Sequence, residues 1–245
     1  MINLDHNATT AIHPEVVQAM SDCYLAGYGN AASSHQHGRR ASQVLEDARE
    51  GIGRLVGADM LGLQADRVIL TSGGTETNNL ALCGLVGTQP GRVIISAVEH
   101  PSVMGPAEQL AQHGFDVCRV RVDSSGVIDQ AHFDSLLTPA TRLVSIMLAN
   151  NETGVLQPIE ALAGRCRAAG VPFHTDAVQG VGKIRVHFRQ LQVTALTLTG
   201  HKFHGPRGIG ALIIRRSAQL APILFGGFQQ SGMRPGTEPV ELAVG

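Results

Sequence analysis

Lys202 lies in Thr197-Leu-Thr-Gly-His-Lys-Phe-His-Gly-Pro-Arg-Gly-Ile-Gly210, a polar, glycine-rich stretch between two apolar runs. A free lysine, with a pKa of about 10.4, is protonated at neutral pH and is a poor nucleophile. It forms an imine readily only where it is partly desolvated and has positive neighbours. His201, Lys202, His204 and Arg207 place four potential cations together with no acid among them, which suits a bound phosphate better than an ion-pair network.

Thr71-Ser-Gly-Gly-Thr-Glu-Thr77 follows an apolar run and opens a helical pattern. Glycine there lets backbone approach an anion, and free N–H groups at a helix start face it, so Gly74 and Thr75 are candidates for a phosphate cradle. Neither the Walker spacing nor GxGxxG is present, which argues against an ATP loop or a dinucleotide site. Taken alone, the segment serves equally well as ordinary turn and capping chemistry. Asp176 ends the run Val171-Pro-Phe-His-Thr-Asp176 and needs a cationic partner. A pyridinium nitrogen would serve, because the carboxylate would keep it protonated and the ring an electron sink. A lone aspartate there reads first as an N-cap for the segment starting at Ala177. His100, directly before Pro101, reads first as a loop histidine, but its place after a strand and beside Glu99 lets it meet a ring. Lysine, carboxylate and phosphate loop in one chain describe a site for pyridoxal 5′-phosphate. His35 and His37 have HxH spacing, yet there is no HExxH and no carboxylate beside them, so no metal is expected.

The elements that must position these groups follow from hydrophobic periodicity. Residues 14–26 read as a helix started by Pro14 and stopped by Gly27, and a second amphipathic helix lies between His37 and Gly57. Short β-branched runs at 67–70, 92–96, 117–122, 143–148, 171–175, 194–198 and 210–214 then alternate with helical patterns near 76–86, 101–113, 129–137 and 159–169. That alternation predicts an α/β fold, a mostly parallel seven-stranded sheet with helices on both faces. The polar clusters at 72–75, 99–100, 150–151, 176 and 199–202 all follow strands, at the sheet edge where ligands bind.

A chain of 245 residues can enclose a cofactor in one large core. A charged fraction of 16% and a formal net charge of −1 give no basic surface for nucleic acid. Glycine supplies 29 residues, above the ~7% of an average protein, without low-complexity tracts, so glycines are expected in specific loops. Cys23, Cys83, Cys118 and Cys166 are widely spaced, with no CxxC pair, and predict reduced thiols. With no apolar leader and no run near the ~18 residues of a membrane span, the expectation is a cytoplasmic protein, neither exported nor membrane-embedded.

Seven motifs in order carry a family resemblance: Leu4-Asp-His-Asn-Ala-Thr-Thr10, Gly29-Asn-Ala-Ala-Ser-Ser-His35, Gly73-Gly-Thr-Glu-Thr77 with His100, Ala149-Asn-Asn-Glu-Thr-Gly154, His174-Thr-Asp-Ala-Val-Gln179, Thr199-Gly-His-Lys202 and Gly232-Met-Arg-Pro-Gly-Thr-Glu238. The chain resembles the class V aminotransferases, and within them the cysteine desulfurases. The resemblance implies a fold type I pyridoxal-phosphate enzyme. Lys202 would form the imine and shuttle protons, Asp176 would pair with the pyridine nitrogen, Gln179 would contact the phenolic oxygen and His100 would stack on the ring. Thr75, Thr199 and His201 would hold the phosphate, with Thr237 reaching the phosphate of a homodimer partner. Asn151 would lie beside the cofactor oxygen and the substrate carboxylate, with Asn30 near it. The reaction implied converts L-cysteine to L-alanine and passes sulfur as a persulfide to an acceptor such as an iron–sulfur scaffold.

Members of the family continue well past the segment ending here at Thr237, and that continuation carries the nucleophilic cysteine and a carboxylate-binding arginine. The resemblance therefore implies residues 1–13 as a small-domain segment, 14–245 as the large cofactor domain and the rest of the small domain as missing. None of the four cysteines is placed to replace the nucleophile. The family usually has Pro where Ala31 stands, and Glu and Arg where Gln230 and Ser231 stand. The competing readings are another class V enzyme, a selenocysteine lyase or an aminotransferase, and a non-catalytic cofactor-binding remnant.

Overall fold

Seven short strands form a single sheet in the order β1-β7-β6-β5-β4-β2-β3. They are β1 (Arg67–Thr71), β2 (Arg92–Ser96), β3 (Asp116–Val120), β4 (Thr141–Ser145), β5 (Phe173–Asp176), β6 (Ala195–Thr199) and β7 (Gly210–Ile214). The computed structural model describes residue 2 and residues 4–245; Met1 and Asn3, within the expected 1–13 segment, lie outside the described residues. β7 is antiparallel to both β1 and β6, and the remaining neighbours are parallel. Six strands therefore point the same way and deliver their carboxyl ends to one edge.

Helices cover both faces. On one side pack α1 (Pro14–Leu25), α2 (Gln36–Leu55), α5 (Gln130–Leu136), α6 (Ile159–Ala168) and α7 (Val240–Val244); on the other pack α3 (Gly74–Leu85) and α4 (Pro101–Gln112). Alternate side chains of one strand serve the two layers: Val68 and Leu70 of β1 join the first core, and Ile69 joins the second. β1, β2 and β7 are buried on both faces and read as nearly unbroken apolar runs, whereas the edge strand β3 is partly exposed.

The expected elements are all present, with shifted ends. The run at 143–148 leaves the ladder at Ser145. Beyond it Ile146 and Leu148 still donate to β5, but the Met147 N–H on the other side turns to the Glu99 carboxyl at 2.8 Å. The run at 117–122 is likewise observed as Asp116–Val120. A 3₁₀ turn at Gln229–Gly232 and the short helix α7 have no counterpart in the sequence patterns.

Candidate active site

At the carboxyl ends of the strands lies a cleft of about 550 Å³. Gly74, Thr75 and Asn78 reach it from α3, His100 and Ser102 from the start of α4, and Met147, Ala149 and Asn151 from the segment after β4. Asp176 and Gln179 enter after β5, Thr199, His201 and Lys202 at the end of β6, and Asn7 and Ala8 from the N-terminal segment. Nine predicted site residues thus share one cleft: Gly74, Thr75, His100, Asn151, Asp176, Gln179, Thr199, His201 and Lys202. Asn30 and Thr237 lie outside it. Asn30 is exposed and accepts from the Ala32 N–H at 2.9 Å, and Thr237 is exposed on the loop after the 3₁₀ turn.

The phosphate loop owes its shape to close backbone packing. Gly73 has φ +151°, and a Cβ on Gly210 of β7 would sit 2.7 Å from the Gly73 carbonyl carbon, so the strand and the loop touch main chain to main chain. No side chain caps α3, which leaves its first turn open to an anion. Behind it Glu76 accepts the Ser72 N–H at 2.7 Å and is held by Arg234 at 2.7 and 3.1 Å, a two-pronged ion pair. Arg207, beside Thr75, Thr199 and His201, adds positive charge at this end.

Asp176 is 5% exposed. Its Oδ1 accepts from the Val178 N–H at 2.9 Å and its Oδ2 from Asn78 Nδ2 at 2.7 Å. The carboxylate does form a local cap-like bond, but no α-helix begins at Ala177. Burial pushes its pKa up, against the Val178 and Asn78 hydrogen bonds and the charges of His100 and Lys202. Lys202 is half-buried, and desolvation, followed by the charge of Lys183, brings its pKa down. His201 is lowered in turn by desolvation and by Lys202 and Arg207. A lysine less readily protonated than usual, in a cleft with a buried carboxylate, has the reactivity an imine requires.

These residues fit pyridoxal phosphate. A buried carboxylate faces the cleft where a ring nitrogen needs one, an uncapped helix start with Thr75, Thr199 and Arg207 suits the phosphate, and Lys202 lines the same cleft. The charged floor would otherwise have little reason to be buried. Residues absent from the sequence reading are Asn78, Ser102 and Lys183, and Asn7 stood there only as part of a motif with no role given. Asn78 sits one turn into α3 beyond the glycines, where only knowledge of the strand order places it against Asp176. Lys183 Nζ donates to Asn7 Oδ1 at 3.1 Å and also contacts Gln179.

The description of the class V aminotransferases matches residues 2–240. The chain belongs to that family. Its fold and the expected cysteine desulfurase resemblance are both borne out. A cysteine desulfurase from Bradyrhizobium diazoefficiens is 42% identical over the whole chain, which covers 62% of that protein. The cysteine desulfurase NifS of Azotobacter vinelandii is 41% identical, with 60% of it covered. Among solved structures, SspA in complex with cysteine superposes with a TM-score of 0.92 at 33% identity, covering 100% of this chain and 70% of that one. DndA from Streptomyces lividans gives 0.83 at 39% identity, with 99% and 69% covered. The family's cofactor is pyridoxal phosphate. The class V chain described here spans about three fifths of the length of the curated relatives it matches.

Proposed function

We propose that this chain is the cofactor-binding part of a cysteine desulfurase, which takes L-cysteine to L-alanine and delivers the sulfur as a persulfide. The observation that carries the reading is the shared cleft of Lys202, Asp176 and the open start of α3 in a chain similar along its whole length to cysteine desulfurases. Bound pyridoxal phosphate supplies an aldehyde for the substrate amine and a ring that withdraws electrons from the substrate carbon.

The chain's own groups do the rest. Asp176 would hold the ring nitrogen, with Gln179 and His100 as the further side chains that would hold the ring. Gly74, Thr75, Thr199 and His201 seat the phosphate. Lys202 would be the amine that tethers the cofactor, and its Nζ, with a lowered pKa, would be the group that takes a proton from the substrate Cα. Asn151, half-buried at the cleft wall, orients the substrate carboxylate. In the overall balance a thiol and cysteine give a persulfide and alanine, the sulfur leaving cysteine as the thiolate attacks it.

None of the cleft-lining residues is a cysteine. Burial raises the pKa of Cys23, Cys83 and Cys118, and pushes that of Cys166 up to about 12. Such thiols are poor nucleophiles. The attacking thiolate therefore comes from outside the described residues. In this reading the protein is a cytoplasmic homodimer that hands sulfur to an acceptor such as an iron–sulfur scaffold. Exposed Thr237, off its own cleft, supports a reach to the partner's phosphate.

Incubation with pyridoxal phosphate, borohydride reduction and peptide mapping test the assignment. The pyridoxyl mass is expected on Lys202 and lost in Lys202→Ala; its appearance on another lysine would overturn it. Alanine release from cysteine by this chain alone is expected to be near background, and rapid release would make one of the four cysteines the nucleophile.

A further inference from the structure

Four side chains join the two ends of the cleft's ring-binding region. Asn78 Nδ2 donates to Asp176 Oδ2 at 2.7 Å and to Ser102 Oγ at 2.8 Å. Ser102 Oγ lies 2.7 Å from His100 Nδ1, and the Ser102 backbone N–H donates to the same nitrogen at 3.1 Å. Every direction in this chain follows from the chemistry. Because the backbone N–H needs a lone pair on Nδ1, the Ser102 hydroxyl gives its own hydrogen to Nδ1, and its oxygen accepts from Asn78. Asn78 then places both amide hydrogens, one on Ser102 and one on the Asp176 carboxylate. In the neutral ring the His100 proton is then on Nε2.

The orientation of Asn78 is not the one that best serves Asn78 itself. Its Oδ1 is buried without a hydrogen-bond partner, in a residue 1% exposed. The flipped amide would set that oxygen against the Asp176 carboxylate, so the orphan marks what the carboxylate demands. Asn78, Ser102 and Asp176 are all more than nine-tenths buried.

We propose that Asn78 and Ser102 form a positioning relay that fixes the Asp176 carboxylate and the His100 ring relative to each other across the cofactor site. The inference rests on the reading of this cleft as a pyridoxal-phosphate site, but the relay itself exists without cofactor. The ionisable groups facing Asp176 are Glu99 and His100 from the loop between β2 and α4, and Lys202 from the turn after β6. The relay acts among them by supplying the neutral donor.

The test follows the Asp176 carboxyl carbon by ¹³C NMR against pH, and the His100 ring nitrogens by ¹⁵N NMR, in cofactor-free protein. Asn78→Leu is expected to move the Asp176 midpoint to higher pH and to shift the His100 nitrogens. Asn78→Ser, which keeps one donor, gives a smaller change and serves if leucine unfolds the core. Ser102→Ala should shift the His100 nitrogens, with Ser102→Thr restoring them. In protein loaded with pyridoxal phosphate, Asn78→Leu should weaken cofactor binding about tenfold, the worth of one hydrogen bond to a charged group. A folded Asn78→Leu whose Asp176 midpoint and His100 shifts match those of the unaltered chain overturns the relay. Spectra that move while no pyridoxyl mass reaches Lys202 would uphold the relay and overturn the cofactor reading instead.

Discussion

Lys202 Nζ donates to the carbonyl oxygen of Ala8 at 2.9 Å and to that of its neighbour Asn7, so the N-terminal segment holds the reactive lysine in place. Lys183 shares this arrangement through Asn7 and contributes, after desolvation, to the lowered pKa of Lys202. Lys183→Ala removes a positive neighbour, so the ammonium form of Lys202 becomes easier to keep and its pKa rises. The rate of pyridoxal-phosphate attachment, followed by absorbance across pH, is expected to reach its half-maximum at higher pH. An unmoved profile would show that burial alone sets this lysine.

Gln230 braces the sheet edge. Its Oε1 accepts the Leu70 N–H at 2.7 Å and its Nε2 donates to the Leu70 carbonyl at 2.8 Å, pairing both main-chain groups of an edge-strand residue that is 1% exposed. An amide can both donate and accept, which a carboxylate cannot, so glutamine suits this double contact. Gln230→Ala leaves two buried groups unpaired and should cost ~1–3 kcal/mol. Thermal unfolding is expected to fall by about 2–4 °C per kcal/mol.

Two buried groups give stability opposite slopes with pH. Glu99 rises from 4.5 to about 8 through burial, opposed by hydrogen bonds from Ser96 and Met147. Between those values the unfolded chain has released a proton that the folded chain keeps, so stability declines as pH rises through that window. Glu99→Gln should flatten this decline. His174, between Ser145 Oγ at 2.8 Å and Thr197 Oγ1 at 2.9 Å, falls from 6.5 to about 3 through burial. There the unfolded chain binds the extra proton, and stability is lost as pH falls from 6.5 toward 3. His174→Gln should remove that acid limb in urea titrations; a limb that persists would assign acid sensitivity to other groups.

Arg234 ties the loop bearing Thr237 to the start of α3 through Glu76. A lysine cannot reproduce the fork, and Arg234→Lys should cost about 1 kcal/mol for this partly buried pair. A double-mutant cycle with Glu76→Gln, measured by urea unfolding, checks the coupling. Additivity of the two substitutions would mean the pair contributes nothing.

Strands such as β2 and β7 were legible because burial on both faces makes them short apolar runs, and the polar residues after the strands marked the edge where the cleft lies. Lys202, Asp176 and the loop of Gly74 and Thr75 stood out because each pairs an unusual residue with a strand end. Asn78 and Ser102 did not, since an asparagine inside a helix and a serine after a proline are common, and their meaning arises only when α3 packs beside α4 and against β5. The Gln229–Gly232 turn was hidden for another reason. Gln230 and Ser231 adopt positive φ, uncommon for residues other than glycine, and the hydrogen bonds of Gln230 to Leu70 offset it.

The same N-terminal segment is bound at Thr10, whose N–H donates to the His201 carbonyl at 2.9 Å, and at His13, whose N–H donates to the His204 carbonyl at 2.9 Å. These partners are 191 positions apart in sequence, as counted from Thr10 to His201. On a ribosome adding ~5–20 residues each second, the first dozen residues wait on the order of ten to forty seconds for their partners to emerge. The lysine loop and its N-terminal partner therefore close only after the intervening residues have been made, and until then there is no cleft in which to trap an aldehyde prematurely.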